Sequence, residues 1–361
     1  MKILLLILAG LIVTIILIVT IYLNTSPQLG GKAEKYNSSN FKNNKFQNLI
    51  ESPMFTNGAT VFSIIKENIF TKVKNKYPPT TIKTSKIDKE LLKKLTPKDV
   101  SITWFGHSSI LIKTKEQTIL IDPVLNKNDL PPMGLGPKRF PYSTTYSIKD
   151  LPKIDVVLIT HDHYDHLDME TIQELKEARF LVPLGIKPHL LRWSVNEKNI
   201  QEFDWYDKTN YSATEFIFTP TRHFSGRGIF NRESTLWGSW VININNKKIY
   251  FSGDSGYSEE FKKIGKKYGP FDLAILENGQ YNAAWQNVHM LPKETAQASD
   301  DLNAKVILPI HWGKHALSKH AWNESITKLS IEAKKQNITM TTPRIGETIL
   351  LNKKLPNEKW W

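Results

Sequence analysis

The chain has 361 residues, enough for one large domain or two ordinary ones with a sizeable buried core, which excludes a small stapled scaffold. It contains no cysteine. Disulfides, thiolate zinc knuckles, a cysteine nucleophile and a lipidated cysteine are therefore excluded, and any metal must be held by nitrogen and oxygen. The formal charge is +13 and sits mostly at the amino end, where residues 1–100 hold 15 Lys, no Arg and 6 acidic residues, giving +9.

Ile3 to Leu23 is an uninterrupted apolar run softened only by Gly10, Thr14 and Thr20. At about 1.5 Å per residue it is long enough to cross a hydrocarbon layer about 30 Å thick. It exceeds the usual signal-peptide core of about 7–15 residues and no small-x-small cleavage site follows, so residues 1–23 are expected to form an uncleaved, single-pass transmembrane anchor in the cell membrane. Lys2 flanks one end and Lys32, Lys35 and Lys42 the other, which leaves both orientations open. A lysine-rich arm gains energy beside anionic headgroups, so it fits a membrane surface better than a nucleic-acid-reading face.

Residues 24–51 are rich in Asn, Ser, Lys and Gly and read as a hydrated polar linker. Residues 52–100 mix short apolar runs with Lys and the Pro78-Pro79 break, and are expected to be a leader packed on the body. From Ser101 to Trp361 the pattern changes to that of one folded body. Short apolar runs recur at Ile102–Phe105, Ile110–Ile112, Thr118–Ile121, Val156–Thr160, Phe216–Thr219, Ile249–Phe251, Leu273–Leu276 and Val306–Pro309. Several lack strict alternation, as strands covered on both faces do. Met169–Ala178, with Asp168 as N-cap and Met169, Ile172 and Leu175 on one face, is predicted to be a helix. The body is thus a layered α/β structure.

His161-Asp162-His163-Tyr164-Asp165-His166 follows directly on one of these runs. Three imidazoles and two carboxylates in six residues cannot all pack in a core, but a cation draws them together. In a loop leaving a strand, His161 and His163 can converge on one ion while Asp165 and His166 turn toward a second, so the spacing proposes two metals. Further ligands are expected from other strand ends: His223 after Phe216–Thr219, Asp254 after Ile249–Phe251 and His311 after Val306–Pro309. Asp254 can bridge two cations through its two oxygens, which imidazole cannot do. Zinc suits histidine plus carboxylate, although manganese or iron can occupy similar sites.

The His-x-His-x-Asp-His text with the later His223, Asp254 and His311 resembles the metallo-β-lactamase-fold hydrolases. Within them the likeness is to N-acyl phosphatidylethanolamine-hydrolysing phospholipase D and its bacterial branch. It is carried by Thr103-Trp104-Phe105-Gly106-His107, Asp122-Pro123, Gly136-Pro137-Lys138-Arg139-Phe140, His161 to Asp168, Leu236-Trp237-Gly238-Ser239-Trp240, Gly253-Asp254-Ser255-Gly256-Tyr257 and Ile310-His311-Trp312-Gly313. The resemblance implies an αββα four-layer sandwich with a dinuclear zinc site at its edge. By motif position His161, His163 and His223 would hold the first zinc, Asp165, His166 and His311 the second, and Asp254 would bridge them. Asp122 would orient a ligand or a backbone turn, and His107 would support the site from behind.

Two nearby zinc ions lower the pKa of a shared water and stabilise charge on attacking and leaving oxygens, and Asp165 could accept the water's proton. His289 matches a histidine that the phospholipase relatives place near substrate phosphate, for phosphate contact or leaving-group protonation. Tyr281 and Trp285, beside it in a stretch that departs from the mammalian text, are further expected substrate contacts. Trp104, Trp237 and Trp240 are expected in the core, and Trp312 at a pocket or lipid interface. The expected activity is hydrolysis of a phosphodiester, with a phospholipid headgroup favoured. The rivals are a sugar-phosphate lactonase and a metal-binding envelope protein without turnover. No interleaved aromatic and basic strip supports nucleic-acid binding, so none is expected.

Overall fold

The computed structural model describes residues 2–32, 34–126, 129–131, 136–228 and 230–361. The apolar amino-terminal run is a single helix, α1 (Lys2–Thr25), whose Lys2–Leu23 stretch has a mean hydropathy of 3.2 and is left uncovered by the rest of the chain. A short hairpin follows, β1 (Phe41–Lys42) and β2 (Lys45–Phe46), turned by Asn43 and Asn44 at φ of 53° and 61°, a conformation asparagine tolerates better than most residues. Composition points to a hydrated linker here, but the structure differs. Phe46 is fully buried, Tyr36 and Phe41 pack on it with ring centroids 5.7 and 4.8 Å away, and the Phe46 N–H donates to the Glu233 carbonyl. Three aromatic rings among polar neighbours are enough to dock the segment. Two helices, α2 (Val61–Phe70) and α3 (Lys89–Lys93), lead to the body.

The body's strands are β3 (Ser101–Trp104), β4 (Ile110–Lys113), β5 (Thr118–Ile121), β6 (Val156–Leu158), β7 (Arg179–Pro183), β8 (Ile200–Phe203), β9 (Lys208–Tyr211), β10 (Thr214–Thr219), β11 (Ser239–Ile244), β12 (Lys247–Phe251), β13 (Leu273–Glu277), β14 (Ile307–Ile310) and β15 (Thr348–Leu350). They form two sheets, ordered β15-β3-β4-β5-β6-β7-β8 and β14-β13-β12-β11-β10-β9. Helices α4 (Met169–Glu174), α5 (Lys187–Arg192), α6 (Glu260–Tyr268), α7 (Pro292–Asp301) and α8 (Glu324–Lys335) complete the layers.

Successive side chains of a strand point to opposite faces, and both faces are covered here. Phe216 and Phe218, Trp240 and Ile242, Ile249 and Phe251, and Leu273 and Ile275 face the first sheet in one core. Their neighbours Ile217, Val241, Tyr250, Ala274 and Leu276 face outward onto Phe261 and Ile264 of α6, Ala296 of α7 and Leu329 of α8. That is why these strands read as unbroken apolar runs. Each large apolar side chain fully buried in this way contributes about 1.5–3 kcal/mol before entropy is counted.

Trp104, Trp237 and Trp240 lie in the core as expected. Trp312 does too, at 2 % exposure, stacked against Trp360 at 5.2 Å and Trp104 at 5.2 Å, so it is not a pocket or lipid-facing residue. The terminal Trp360-Trp361 pair docks through this stack. The helix begun at Asp168 stops at Glu174 instead of Ala178, because Arg179 must enter β7 beside β6.

β3, β5 and β6 run in one direction in the first sheet, and β10, β12, β13 and β14 share one in the second. An antiparallel bridge between His107 and Trp312 ties the two sheets together at the ends of β3 and β14. Gly253, between β12 and Asp254, has φ of 56°, and a Cβ there would lie 2.7 Å from the Gly238 carbonyl oxygen and 2.8 Å from Thr160 Cβ. Only glycine fits that turn.

Trp240 also donates from Nε1 to the Ile159 carbonyl at 2.9 Å, joining the second sheet to the strand that leads into the histidine loop. Trp240→Ala is expected to cost about 3–5 kcal/mol, measured by chemical denaturation of the full chain in detergent; a loss below 1 kcal/mol would contradict this assignment of the core.

Candidate metal centre

Every expected donor lies just beyond the carboxyl end of a strand. His161, His163, Asp165 and His166 follow β6, His223 follows β10, Asp254 follows β12 and His311 follows β14. Their ligand atoms form two sets. In one, His161 Nε2 is 2.9 Å from His163 Nδ1, which is 3.3 Å from His223 Nε2, and Asp254 Oδ2 is 3.8 and 3.7 Å from His161 and His223. In the other, His166 Nε2 is 3.6 Å from Asp165 Oδ2 and 3.2 Å from Asp254 Oδ1, which is 3.1 Å from His311 Nδ1. The two oxygens of Asp254 thus face different sets.

These spacings suit a cation. Donors at about 2.0–2.1 Å from a tetrahedral zinc lie about 3.3 Å from one another. His166 Nε2 and Asp254 Oδ1 are buried without a hydrogen-bond partner, a cost that metal coordination removes.

The partners behind the donors fix which nitrogen carries the lone pair. Thr160 Oγ1 donates to Asp122 Oδ2 at 2.6 Å, so it can only accept from His161 Nδ1 at 3.0 Å, leaving His161 Nε2 free. His166 Nδ1 donates to Asp122 Oδ2 at 2.7 Å, and His223 Nδ1 to the Val288 carbonyl at 2.9 Å, with the same result. Asp122 also accepts the Thr160 N–H at 2.8 Å, so this one carboxylate orients both a donor ring and the turn that leads into the loop. His107 donates from Nε2 to Asp165 Oδ2 at 2.7 Å. His107, Asp122 and His311 have φ of 52°, 42° and 66°, left-handed conformations that cost about 1–3 kcal/mol each and that the surrounding fold imposes.

Burial controls protonation. It pushes His161, His223 and His311 well below the ordinary imidazole range and holds His107 and His163 down at about 4, so their lone pairs stay free at neutral pH. His166 goes the other way: burial would lower it, but the Asp254, Asp165 and Asp122 carboxylates raise it well above that range. Burial pushes Asp254 up to about 6. Asp165 is held well below the carboxylate range, because His166 and His107 outweigh its burial.

His289 lies at the rim, with its ring 5.1 Å from that of His223 and 5.2 Å from that of His311, and it pairs through Nδ1 with Glu277 Oε1 at 2.7 Å. Glu277 ends β13 fully buried and also accepts the Ser255 N–H at 3.2 Å. Burial raises the Glu277 carboxyl and lowers His289, so the pair avoids separated charge. Trp285 is half-buried and donates to the Gln280 carbonyl at 3.0 Å. Tyr281, expected to contact substrate, is instead buried: it turns its hydroxyl to Glu324 at 2.9 Å and stacks its ring on His320.

Four residues that sequence reasoning left unassigned shape the site. Glu277 could have been found, because it is a charged residue closing an apolar run, as the metal-site residues nearly do. Asp162, although inside the cluster, turns away from the donors to accept the Gly226 N–H at 2.6 Å and to face His189. Buried Arg227 clamps the histidine loop through the Asp162 and Leu167 carbonyls, both at 2.7 Å. Gln280 accepts the Leu317 and Ser318 N–H groups and donates to the His311 carbonyl, bracing the loop after β14. No local pattern marks Arg227 or Gln280.

Residues 117–312 match the beta-lactamase superfamily domain. An uncharacterized protein of Mycobacterium tuberculosis is 33% identical over 336 residues, covering 91% of this chain and 89% of its own. N-acyl-phosphatidylethanolamine-hydrolyzing phospholipase D 1 of Caenorhabditis elegans is 30% identical over 233 residues, 60% of this chain and 64% of that one. Among solved structures, a metallo hydrolase from the archaeon Ignicoccus hospitalis superposes with a TM-score of 0.54 at 23% identity, over 71% of this chain and all of that one, which shows the shared fold.

Asp122→Ala is expected to weaken metal binding about 10–100-fold in competition with a chelator, although Asp122 is not itself a donor. His163→Ala should lower the metal content of the purified chain, read by elemental analysis. Unchanged affinity in the first and unchanged content in the second would remove these residues from the site.

Proposed function

Because this chain belongs to the metallo-β-lactamase superfamily and is a metal-dependent hydrolase, we propose that it is a membrane-anchored, dinuclear-zinc phosphodiesterase that cleaves a phospholipid headgroup in the manner of a phospholipase D. The observation that carries the dinuclear reading is Asp254, with Oδ2 toward the His161, His163 and His223 set and Oδ1 toward the Asp165, His166 and His311 set. The two sets would each hold one ion, with manganese or iron as substitutes for zinc. The lipid reading rests on the likeness to the nematode phospholipase, and the anchor on the length and hydropathy of α1. In this arrangement residues 1–23 anchor the chain, 24–100 lie along the body and 101–361 form the catalytic domain.

Bound here, the two ions supply Lewis acidity that brings the ionisation of water toward neutral pH and stabilises charge on phosphoryl oxygens. Asp165 is the acceptor for the proton of the attacking water, and His107 holds its carboxylate in place through a bond from Nε2 to Oδ2. Glu277 fixes the His289 ring through Nδ1, which turns Nε2 to the substrate side, where the protonated Nε2 would contact the phosphate or supply the proton of the departing oxygen. Trp285, half-buried on the same loop, offers ring surface to the part of the substrate beyond the phosphate, whereas the buried Tyr281 ring offers none.

Vesicles containing phosphatidylethanolamine and its N-acyl form are expected to release phosphatidic acid with the full chain, to stop on chelation and to resume with zinc. Release unaltered by His163→Ala would sink the reading, and turnover of soluble sugar-phosphate lactones without lipid cleavage would replace it with the lactonase. His289→Ala should lower kcat about 100-fold or more, with a smaller change in KM. Glu277→Gln should shift the pH profile of kcat, whereas a merely structural Glu277 would leave it in place.

A further inference from the structure

Beyond α1, exposed apolar side chains gather on α2. Phe62 and Phe70 are each 75% exposed and Ile69 is 68%, with Val61 and Ile65 also facing out, while Ile64 and Glu67 alone among its described side chains turn partly toward the body. This is a formed, fixed helix. Thr60 and Ser63 make a reciprocal cap at its start, and Lys319 Nζ donates to the Glu67 and Thr71 carbonyls at its end. Just before it, the Thr56 N–H donates to the Ala284 carbonyl at 2.8 Å, and Thr56 Oγ1 and Asn57 Nδ2 to the Ala283 carbonyl at 2.7 Å. The fold therefore holds a row of phenylalanine and isoleucine outward, rigidly, on the loop that carries Trp285 and His289.

The same segment reaches the metal site directly. Asn48 donates to the His223 carbonyl at 2.8 Å and accepts its N–H at 3.2 Å. The end of α1 arrives at the site from another direction: Arg227, which clamps the histidine loop, also donates to the Gln28 carbonyl at 2.9 and 2.8 Å, and Trp193 Nε1 donates to the Pro27 carbonyl at 2.7 Å. Phe230, three residues beyond Arg227, is 87% exposed. The candidate span, Phe230 and α2 are thus all tied to loops that frame the donors.

Charge selects the occupant. From Val61 to Tyr77 the chain has four lysines and one glutamate, and Lys66, Lys72 and Lys74 are exposed. A symmetric contact with a second copy would set these lysines against one another, whereas the phosphates of an anionic bilayer attract them while its acyl chains take the rings. We propose that α2 is an interfacial docking helix, its Phe62, Ile65, Ile69 and Phe70 entering an anionic bilayer and seating the mouth of the metal site on the lipid surface. This rests on the membrane reading of α1, and the experiment separates the two.

The chain has no cysteine, so single cysteines carry a fluorescent probe without background. Phe62→Cys, Phe70→Cys, Leu11→Cys in α1 and Lys334→Cys on α8 are labelled in the full chain and reconstituted into vesicles of phosphatidylethanolamine and phosphatidylglycerol. Probes at 62 and 70 should be quenched by nitroxide lipids and shielded from aqueous iodide, and the probe at 334 the reverse. Iodide access at 62 and 70 overturns the proposal, and so does shielding from both quenchers, which would mean that protein covers α2. The probe at position 11 reports the anchor by itself, so its failure is read separately. Replacing Phe62 and Phe70 together with serine should lower hydrolysis of vesicle lipid at least about tenfold while leaving metal content and hydrolysis of a soluble phosphodiester unchanged; an equal loss on both substrates also overturns it.

Discussion

The organising constraint is the crowding of lone pairs. Six imidazoles and three carboxylates, counting His107 and Asp122, lie within or directly behind one buried pocket, and His161 Nε2 and His163 Nδ1 approach to 2.9 Å. Two imidazole nitrogens that close are tolerable only if a proton or a cation sits between them. The surrounding structure acts as a frame for this arrangement: Asp122, Thr160 and the Val288 carbonyl each take a ring N–H on the far side, so the free lone pairs turn inward.

That frame needs two sheets. Each sheet supplies donors only where its strands end, and a single sheet would present His161 to His166 with nothing opposite. The His107 to Trp312 bridge and the Trp240 indole bond to Ile159 bring the ends of the second sheet against those of the first. The left-handed backbone at His107, Asp122 and His311 is a local cost of turning sharply at the point where the sheets meet, and the buried core around Trp104, Trp240 and Trp312 offsets it.

The amino-terminal hundred residues are part of the same design. They pack Phe46 into the core, bond Asn48 to the backbone of His223 and brace the Ala283–Ala284 backbone through Thr56. A segment whose composition suggests a tether therefore forms one wall beside the donors. This couples the site to the exposed apolar face of α2, because both hang on the same loop.

Much of the site was legible in the sequence because metal chemistry demands particular residue types in a tight spacing. His161 to His166 announces donors, and His223, Asp254 and His311 each follow an apolar run closely enough to be placed at a strand end. The unbroken runs at Ile249–Phe251 and Leu273–Leu276 likewise announced strands covered on both faces. In the body the sequence did not reveal β7, β8, β9, β11, β15 and α5 to α8, whose patterns are shorter or mixed, nor the roles of Arg227, Gln280 and Glu277. Those roles depend on which backbone carbonyl or ring nitrogen lies across a gap of sixty residues or only twelve, and pattern carries no such distance. Local spacing determined which atoms could bind a cation. Only the packing of one sheet on the other decided which way each ring faces, because that choice is made by hydrogen bonds between segments remote along the chain.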